Sequence, residues 1–138
     1  MTGARTLPAP DELSRPFWTA GELGVLRIQR CGECRRFQHP PLVRCRACGS
    51  DDLTWEEVSG RATVYSFTVN HQQWHPDVTG PYTVAIVELD EQPGLLLTSE
   101  LVDVEPDDVR IGMAVAVEFL QVDDVWLPLF HHAPAPSP

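Results

Sequence analysis

From residue 58 onward, hydrophobic and polar residues alternate in a pattern that predicts five β-strands. In the first strand, one face holds Thr63, Tyr65, Phe67 and Val69, and the other holds Ala62, Val64, Ser66 and Thr68. The other strands are predicted over 82–89, 95–102, 114–121 and 125–130. A helical turn with Pro106 at its first position separates the third strand from the fourth. This order matches a five-stranded OB-fold barrel, and a generic five-stranded barrel or open sheet is the alternative.

The segment before the barrel begins with a predicted short amphipathic helix over 14–21. Ser14 can cap it, Pro16 lies in its first turn, and Gly21 and Gly24 end it. Its aromatic residues are candidates either for internal packing or for contact with a partner protein, and they are Phe17 and Trp18. We therefore expect a helical segment over 1–26, a small module over 27–54, the barrel over 55–131 and a flexible Pro-rich tail over 132–138.

The small module contains all four cysteines of the chain, namely Cys31, Cys34, Cys45 and Cys48. Two residues separate the members of each pair, so both thiolates of a pair can bind one ion. Two such pairs complete a tetrahedral sulfur site that suits structural zinc and leaves no open position for catalysis. A rubredoxin-type iron site and a disulfide framework are the alternatives, although no secretion signal accompanies the cysteines. Short ribbon strands are predicted at 35–37 and 42–44.

Charge is divided unequally along the chain. Residues 1–50 hold eight arginines and four acidic residues, a net charge of +4, whereas residues 51–138 hold two arginines and sixteen acidic residues, a net charge of −14. An acidic barrel argues against nucleic-acid binding, because nucleic-acid phosphates repel it. All ten basic residues are arginines, and the absence of lysine excludes Schiff-base catalysis by lysine.

Two groups of residues are candidates for binding. Guanidinium groups bind phosphate through paired hydrogen bonds, so the arginines of the small module are candidate anion ligands, namely Arg35, Arg36, Arg44 and Arg46. Simple solvation of the module is the alternative. The loop over 70–81 is long for a compact domain, and it offers His71 and Trp74 as ligand or partner contacts. Alternatively, Trp74 covers the barrel core.

Motifs for other functions are absent from the sequence. It contains no Gly-x-Ser-x-Gly elbow, phosphate loop or dinucleotide fingerprint, so we assign no catalytic residue. No apolar run approaches the roughly 18 residues of a membrane-spanning helix. The N-terminus lacks the features of a secretory signal, and we expect a cytoplasmic protein without membrane contact.

A series of short motifs extends over residues 14–131. In chain order they are Phe17-Trp18, Gln29-Arg30-Cys31-x2-Cys34, Pro40-Pro41, Cys45-x2-Cys48-Gly49-Ser50, Trp55, the stretch 59–67, Pro81-Tyr82, and the stretches 84–89, 108–113 and 127–130. Together they resemble the zinc-ribbon/OB-fold family of acyl-CoA-associated proteins, first catalogued as a domain of unknown function.

The resemblance implies an N-terminal helical segment, a rubredoxin-like zinc ribbon with the four cysteines as ligands, and a C-terminal OB-fold. Members of this family resemble accessory subunits that pair with thiolase-like enzymes, which include acyl-CoA thiolases, acyltransferases and the aldolases that shorten steroid side chains. The stretches 70–74 and 91–95 look most like the partners of the steroid aldolases.

We therefore expect a non-catalytic accessory subunit that binds a thiolase-like acyl-CoA enzyme, for example in a two-plus-two assembly, and helps form its acyl-CoA channel. The complex would be a carbon–carbon lyase of the retro-aldol type, or a thiolase or acyltransferase. The CoA thioester would be the shared substrate, and its phosphates would meet the ribbon arginines. The channel or partner contacts would be Phe17, Trp18, His71 and Trp74. A single-stranded nucleic-acid-binding OB module and a rubredoxin-like electron carrier stay open as alternatives.

Overall fold

The computed structural model describes residues 10–71 and 81–134. Helix α1 covers Arg15–Thr19 and continues into a 3-10 helix at Ala20–Leu23. The strands are β1 (Leu26–Cys31), β2 (Phe37–Gln38), β3 (Leu53–Val58), β4 (Arg61–Asn70), β5 (Tyr82–Leu89), β6 (Leu96–Val102), β7 (Ala114–Val122) and β8 (Val125–His132). The mainly β fold with one short α-helix is therefore confirmed. In the described part of the chain, no helix has the length and apolar character needed to cross a membrane.

The ribbon is a three-stranded antiparallel sheet in the order β2-β1-β3. β1 pairs along its whole length with β3, from Leu26 opposite Val58 to Cys31 opposite Leu53. β2 adds two residues on the other side of β1. Of the ribbon strands expected at 35–37 and 42–44, the first overlaps β2 only at Phe37, and the second was wrong. Most of the paired residues belong to β1 and β3, which lie almost entirely before and after the segment that contains the cysteine pairs. β3 also continues past the module boundary expected after residue 54.

The barrel is closed and its strand order is β4-β5-β6-β8-β7. A 3-10 turn at Pro106–Asp108 lies between the third and fourth barrel strands, as the sequence predicted. The barrel interior is apolar, and its most buried side chains include Val64, Val87, Leu89, Val115 and Phe130. β8 reaches His132, and the backbone N–H of Ala133 donates to the carbonyl of Ala114, so pairing continues into the segment expected to be a tail.

One irregularity in β4 changes which residues face the core. The register with β5 shifts between Val64 and Ser66, as it does at a β-bulge. Val64 is buried before this point, Phe67 packs against the core after it, and Tyr65 between them is 54% exposed. Because an extra residue reverses the alternation, the predicted single face that contained Tyr65 and Phe67 was wrong.

The N-terminal helical segment packs between the ribbon and the barrel. A Cβ atom added to Gly21 would lie 2.5 Å from Cβ of Trp126 and 2.6 Å from Cδ1 of Phe119, so no side chain fits there. Phe17 is only 3% exposed and belongs to the continuous core that joins the two sheets. Its ring therefore offers no surface to a partner in this conformation. Trp18 is half-buried and is the aromatic residue of this segment that we retain as a candidate partner contact.

Candidate metal centre and adjoining arginine cavity

The four cysteine sulfurs form one cluster, in which all Sγ atoms lie within 4.8 Å of one another. The Sγ atoms of Cys31 and Cys48 are 3.6 Å apart, and those of Cys34 and Cys45 are 3.5 Å apart. These distances exclude disulfide bonds, and the cysteines are free. Ligands of tetrahedral zinc with Zn–S bonds of about 2.3 Å lie about 3.8 Å apart, so the cluster fits such an ion.

Two similar turns position the sulfurs. In the first, the backbone N–H groups of Glu33 and Cys34 approach Cys31 Sγ at 3.3 and 3.5 Å. In the second, Ala47 and Cys48 approach Cys45 Sγ at the same distances. The hydrogen bond from the Cys48 N–H, followed by that from Ala47, lowers the pKa of Cys45 to about 6. The bond from Cys34 likewise lowers the pKa of Cys31. At Cys31 and Cys45 the backbone thus favours the thiolate form that a metal ion requires.

Each turn ends on a residue with positive φ, which is Gly49 at 80° in the second turn and Arg35 at 67° in the first. Glycine adopts this conformation freely, whereas arginine does so at a cost of roughly 1–2 kcal/mol. The guanidinium of Arg35 donates to Glu56 at 3.1 Å, and Arg30 donates to the same carboxylate at 2.8 Å. These contacts, chiefly the bond from Arg30, hold the pKa of Glu56 below its usual value. Arg35 is thus already engaged by a carboxylate.

Two buried glutamines, to which the sequence had assigned no structural role, hold the loop between the cysteine pairs. Gln29 accepts from the N–H of Leu42 and donates to its carbonyl, both at 2.9 Å. Gln38 donates to Gln29 at 2.6 Å and to the carbonyl of Arg44 at 3.2 Å, and it accepts from the N–H of Arg46 at 2.8 Å. These bonds occupy the backbone groups of 42–46 and explain why no strand forms there.

A cavity of about 310 Å³ lies between the ribbon and the β5–β6 turn. Its polar lining includes Arg36, His39, Arg46 and Gln92. The Gln92 side chain accepts from the N–H of Phe37 at 2.9 Å and donates to its carbonyl at 3.1 Å, which fixes the turn against β2. Gln92 lies between the strands predicted over 82–89 and 95–102, but the sequence held no signal that its amide would bind the ribbon.

His39 gives this cavity an uncharged imidazole. Burial lowers its pKa from 6.5 to about 4, and its Nδ1 has no hydrogen-bond partner. Its ring packs against Phe17 with a centroid distance of 4.8 Å. His39 is therefore neutral at physiological pH, and positive charge at the cavity comes from the arginines.

The structure separates the predicted anion ligands into two pairs. Arg36 and Arg46 line the cavity, and neither guanidinium has a hydrogen-bond or ion-pair partner among the described residues. Arg35 is engaged by Glu56, and Arg44 donates to the carbonyl of Gly49 at 3.3 Å. His71 is exposed just after β4, whereas Trp74 lies outside the described residues.

Two family models match adjacent parts of the chain. Residues 18–54 match the model described as "ChsH2, rubredoxin-like zinc ribbon domain". Residues 55–120 match "ChsH2, C-terminal OB-fold domain". The chain belongs to the ChsH2 (DUF35) family. The resemblance seen in the sequence, the zinc-ribbon module and the OB-fold are thereby confirmed.

One solved structure supports this membership over nearly its whole length. The chain is similar to a chain of the "Ltp2-ChsH2(DUF35) aldolase", with a TM-score of 0.82, 38% sequence identity, and coverage of 91% of this chain and 98% of that one. It is also 34% identical to a DUF35 domain-containing scaffold protein of Methanocaldococcus jannaschii, over 69% of this chain and 67% of the relative.

Two relatives are longer subunits. The chain is 42% identical over 94% of its length to a "Probable enoyl-CoA hydratase alpha subunit" of Thermomonospora curvata. It is 34% identical over 83% of its length to the 3-oxo-4,17-pregnadiene-20-carboxyl-CoA hydratase alpha subunit of Mycobacterium tuberculosis. The matches cover 40% and 39% of those subunits, so this chain spans about two fifths of their length.

Proposed function

We propose that this protein is a non-catalytic accessory subunit of a thiolase-like acyl-CoA enzyme and contributes to that enzyme's acyl-CoA channel. The observation that carries the proposal is the similarity, over nearly the whole chain, to one chain of the Ltp2-ChsH2 aldolase. The partner would then perform a retro-aldol cleavage, and the name of the M. tuberculosis relative favours a steroid acyl group. The free thiols suit a reducing compartment, which we take to be the cytoplasm.

The metal ion in this proposal is structural zinc held by Cys31, Cys34, Cys45 and Cys48. When bound, zinc cross-links the two turns of the ribbon and offers no reactive position, because four thiolates complete its coordination. The ribbon in turn holds the loop that carries Arg46 and the turn that precedes Arg36. Metal binding would therefore position the cavity rather than take part in the reaction.

The cavity beside the metal centre is our candidate for the phosphate-bearing end of CoA. Arg36 and Arg46 are the two ribbon arginines whose guanidinium groups are unpaired among the described residues and line this space. A guanidinium can bind phosphate oxygens through two parallel hydrogen bonds. A cavity of about 310 Å³ accommodates only part of an acyl-CoA, so the acyl group would extend onto the partner.

We test the proposal by co-expressing the chain with a thiolase-like protein encoded beside it. The two proteins should co-purify, for example as a two-plus-two assembly measured by light scattering, and should cleave an acyl-CoA substrate. Arg36→Glu and Arg46→Glu should each raise KM for acyl-CoA by about tenfold or more, because a charge-assisted contact contributes roughly 1.5–3 kcal/mol. Arg15→Glu makes the same charge change at an exposed position of α1, outside the cavity, and should leave KM unchanged.

Two outcomes would contradict this function. Full activity of the thiolase-like protein without this chain would remove the accessory role. An unchanged KM in both arginine variants would show that the cavity does not bind CoA. It would not contradict the assembly of the two proteins.

A further inference from the structure

The barrel is closed along only part of β4. Residues Arg61–Thr63 pair with Ala114–Ala116 of β7. Val64 then donates to the carbonyl of Met113 at 3.0 Å and accepts from the N–H of Gly112 at 2.7 Å. Beyond Val64, β4 continues beside β5 as far as Asn70. Within residues 10–71 and 81–134, no strand pairs with the other side of this second half.

The backbone groups that face this open side can be assigned from the register. In an antiparallel strand, the N–H and C=O of alternate residues point to opposite neighbours. Val64, whose side chain faces the core, directs both groups toward the β7 side. Because the bulge shifts the alternation by one residue, Phe67 and Val69 are the next residues with this orientation. Their N–H and C=O groups therefore lie along an open strand edge.

Exposed apolar side chains lie beside the start of this edge. Tyr65 is 54% exposed and Ile111 is 69% exposed. Val64 and Gly112 are the sequence neighbours of Tyr65 and Ile111. The hydrogen bond between Gly112 and Val64 therefore brings the backbones of Tyr65 and Ile111 close together. We use the name β4 edge for Tyr65–Val69 together with Ile111. Sheet edges without a further strand are commonly protected by charged residues or proline, and neither occurs within Tyr65–Val69.

Charge near the β4 edge indicates what kind of segment would fit it. Asp107 and Asp108 are exposed in the turn just before Ile111, and neither carboxylate has an ion-pair partner among the described residues. The guanidinium of the neighbouring Arg110 instead donates to the backbone carbonyls of Asp107 and Val109. A basic residue would therefore be favoured beside this turn.

We propose that the β4 edge receives an extended segment of the partner enzyme subunit, which adds to the barrel as a further strand. Such strand addition takes its affinity from backbone hydrogen bonds and its specificity from alternate side chains. The added segment carries an apolar residue against Tyr65 and Ile111, and a lysine or arginine beside Asp107 and Asp108. The inference rests on the proposed function, because the occupant is the thiolase-like subunit.

The experiment uses the full chain co-expressed with the thiolase-like protein encoded beside it. Ile111→Asp and Tyr65→Asp place charge on the apolar contact, and Val69→Pro removes one outward N–H while keeping an apolar inward side chain. Each variant should weaken the complex by about tenfold or more in Kd, as expected for residues central to an interface. Val43→Asp is the matched control, since Val43 is 74% exposed in the ribbon loop and lies outside the β4 edge and the helical segment.

Hydrogen–deuterium exchange on the wild-type complex provides a second readout. Amides of the stretch 65–69 should exchange more slowly in the complex than in the free chain, whereas exchange in the β7–β8 turn should not change. If Val69→Pro fails to fold, Ile111→Asp still decides the question, because Ile111 lies on an exposed loop.

Three outcomes overturn the proposal. The wild-type complex could be stable but show no added protection at 65–69, with wild-type affinity in Ile111→Asp. The β4 edge would then not be the docking site, and the proposed function would still stand. Absence of any wild-type complex would overturn both. A dimer of this chain alone that dissociates in Ile111→Asp would assign the edge to a second copy instead.

Discussion

At the scale of single residues, His39 shows how burial can set a pH dependence. Its imidazole packs on Phe17 at the junction of ribbon and helix, and burial lowers its pKa from 6.5 to about 4. Between these two values the unfolded chain binds more protons at this position than the folded chain does. The free energy of unfolding must therefore fall as the pH falls through this window. One such group contributes a slope of at most about 1.4 kcal/mol per pH unit.

We predict that His39→Phe removes this part of the pH dependence. Phenylalanine keeps a ring against Phe17 but cannot take up a proton, so the variant should gain stability relative to the wild type as the pH falls from 6.5 to 4. Urea unfolding at half-unit pH steps measures the difference, and subtracting the two curves cancels the other titrating groups. His132→Gln replaces an exposed histidine and is the control. Parallel curves for wild type and His39→Phe would show that His39 has no part in the effect.

Residue roles were predictable where spacing alone expresses the chemistry. The two Cys-x2-Cys pairs indicated a metal site from sequence, because ligand geometry constrains their separation along the chain. The roles of Arg35 and Gln92 were not predictable, since Glu56 and Phe37 become their partners only once β3 and the β5–β6 turn have packed against the ribbon. Long-range contacts of this kind produce no periodic pattern in the sequence.

At the scale of elements, the ribbon is the part of the molecule that depends most on a ligand. β2 is two residues long, and the segment 39–52 contains no strand. Side-chain amides and the sulfur cluster therefore hold this region together. Zinc binding to such a module contributes directly to its folding.

We predict about one zinc ion per chain in the purified protein and loss of ribbon order when it is removed. Cys48→Ser removes one ligand at an exposed position and should abolish tight zinc binding. Amides of 31–50 should then exchange fast, whereas those of β5 and β6 inside the barrel should keep their protection. Metal analysis and hydrogen exchange measure this, with Glu33→Ser as the control that leaves all four thiols in place. Iron instead of zinc, or unchanged ribbon protection without metal, would contradict this prediction.

Elements whose signal is local were predicted well, and their pairing was not. The periodic pattern predicted all five barrel strands and the turn between the third and fourth, because alternation and turn preferences depend only on neighbouring residues. The bulge at Tyr65 reversed the predicted face of β4, since one extra residue is invisible in a short alternating run. The ribbon sheet was misplaced because β1 and β3 meet across the whole cysteine loop.

At the scale of the whole molecule, the two halves of unequal charge fold into two modules that are packed against each other. The arginine-bearing ribbon and the acidic barrel share one apolar core, with Phe17, Ile28 and Phe37 on the ribbon side and Val87 and Phe130 in the barrel. The two halves therefore move as one packed unit, and the cavity arginines are held at a fixed position relative to the barrel. The cavity arginines therefore form a cationic site, suited to an anionic ligand, where the ribbon meets the acidic barrel.

At the cavity, the Gln92 side chain joins the β5–β6 turn of the barrel to the backbone of Phe37 in the ribbon. We predict that Gln92→Ala loosens the ribbon from the β5–β6 turn and costs roughly 1–3 kcal/mol of unfolding free energy, because two hydrogen bonds to the backbone are lost. The amide of Phe37 should exchange faster. In the complex, KM for acyl-CoA should rise while kcat changes little, because Arg36 and Arg46 are displaced but no reacting group is touched. Asp90→Ala truncates an exposed side chain in the same turn and serves as the control. A Gln92→Ala protein with wild-type stability, Phe37 exchange and KM would show that the apolar core alone positions the ribbon.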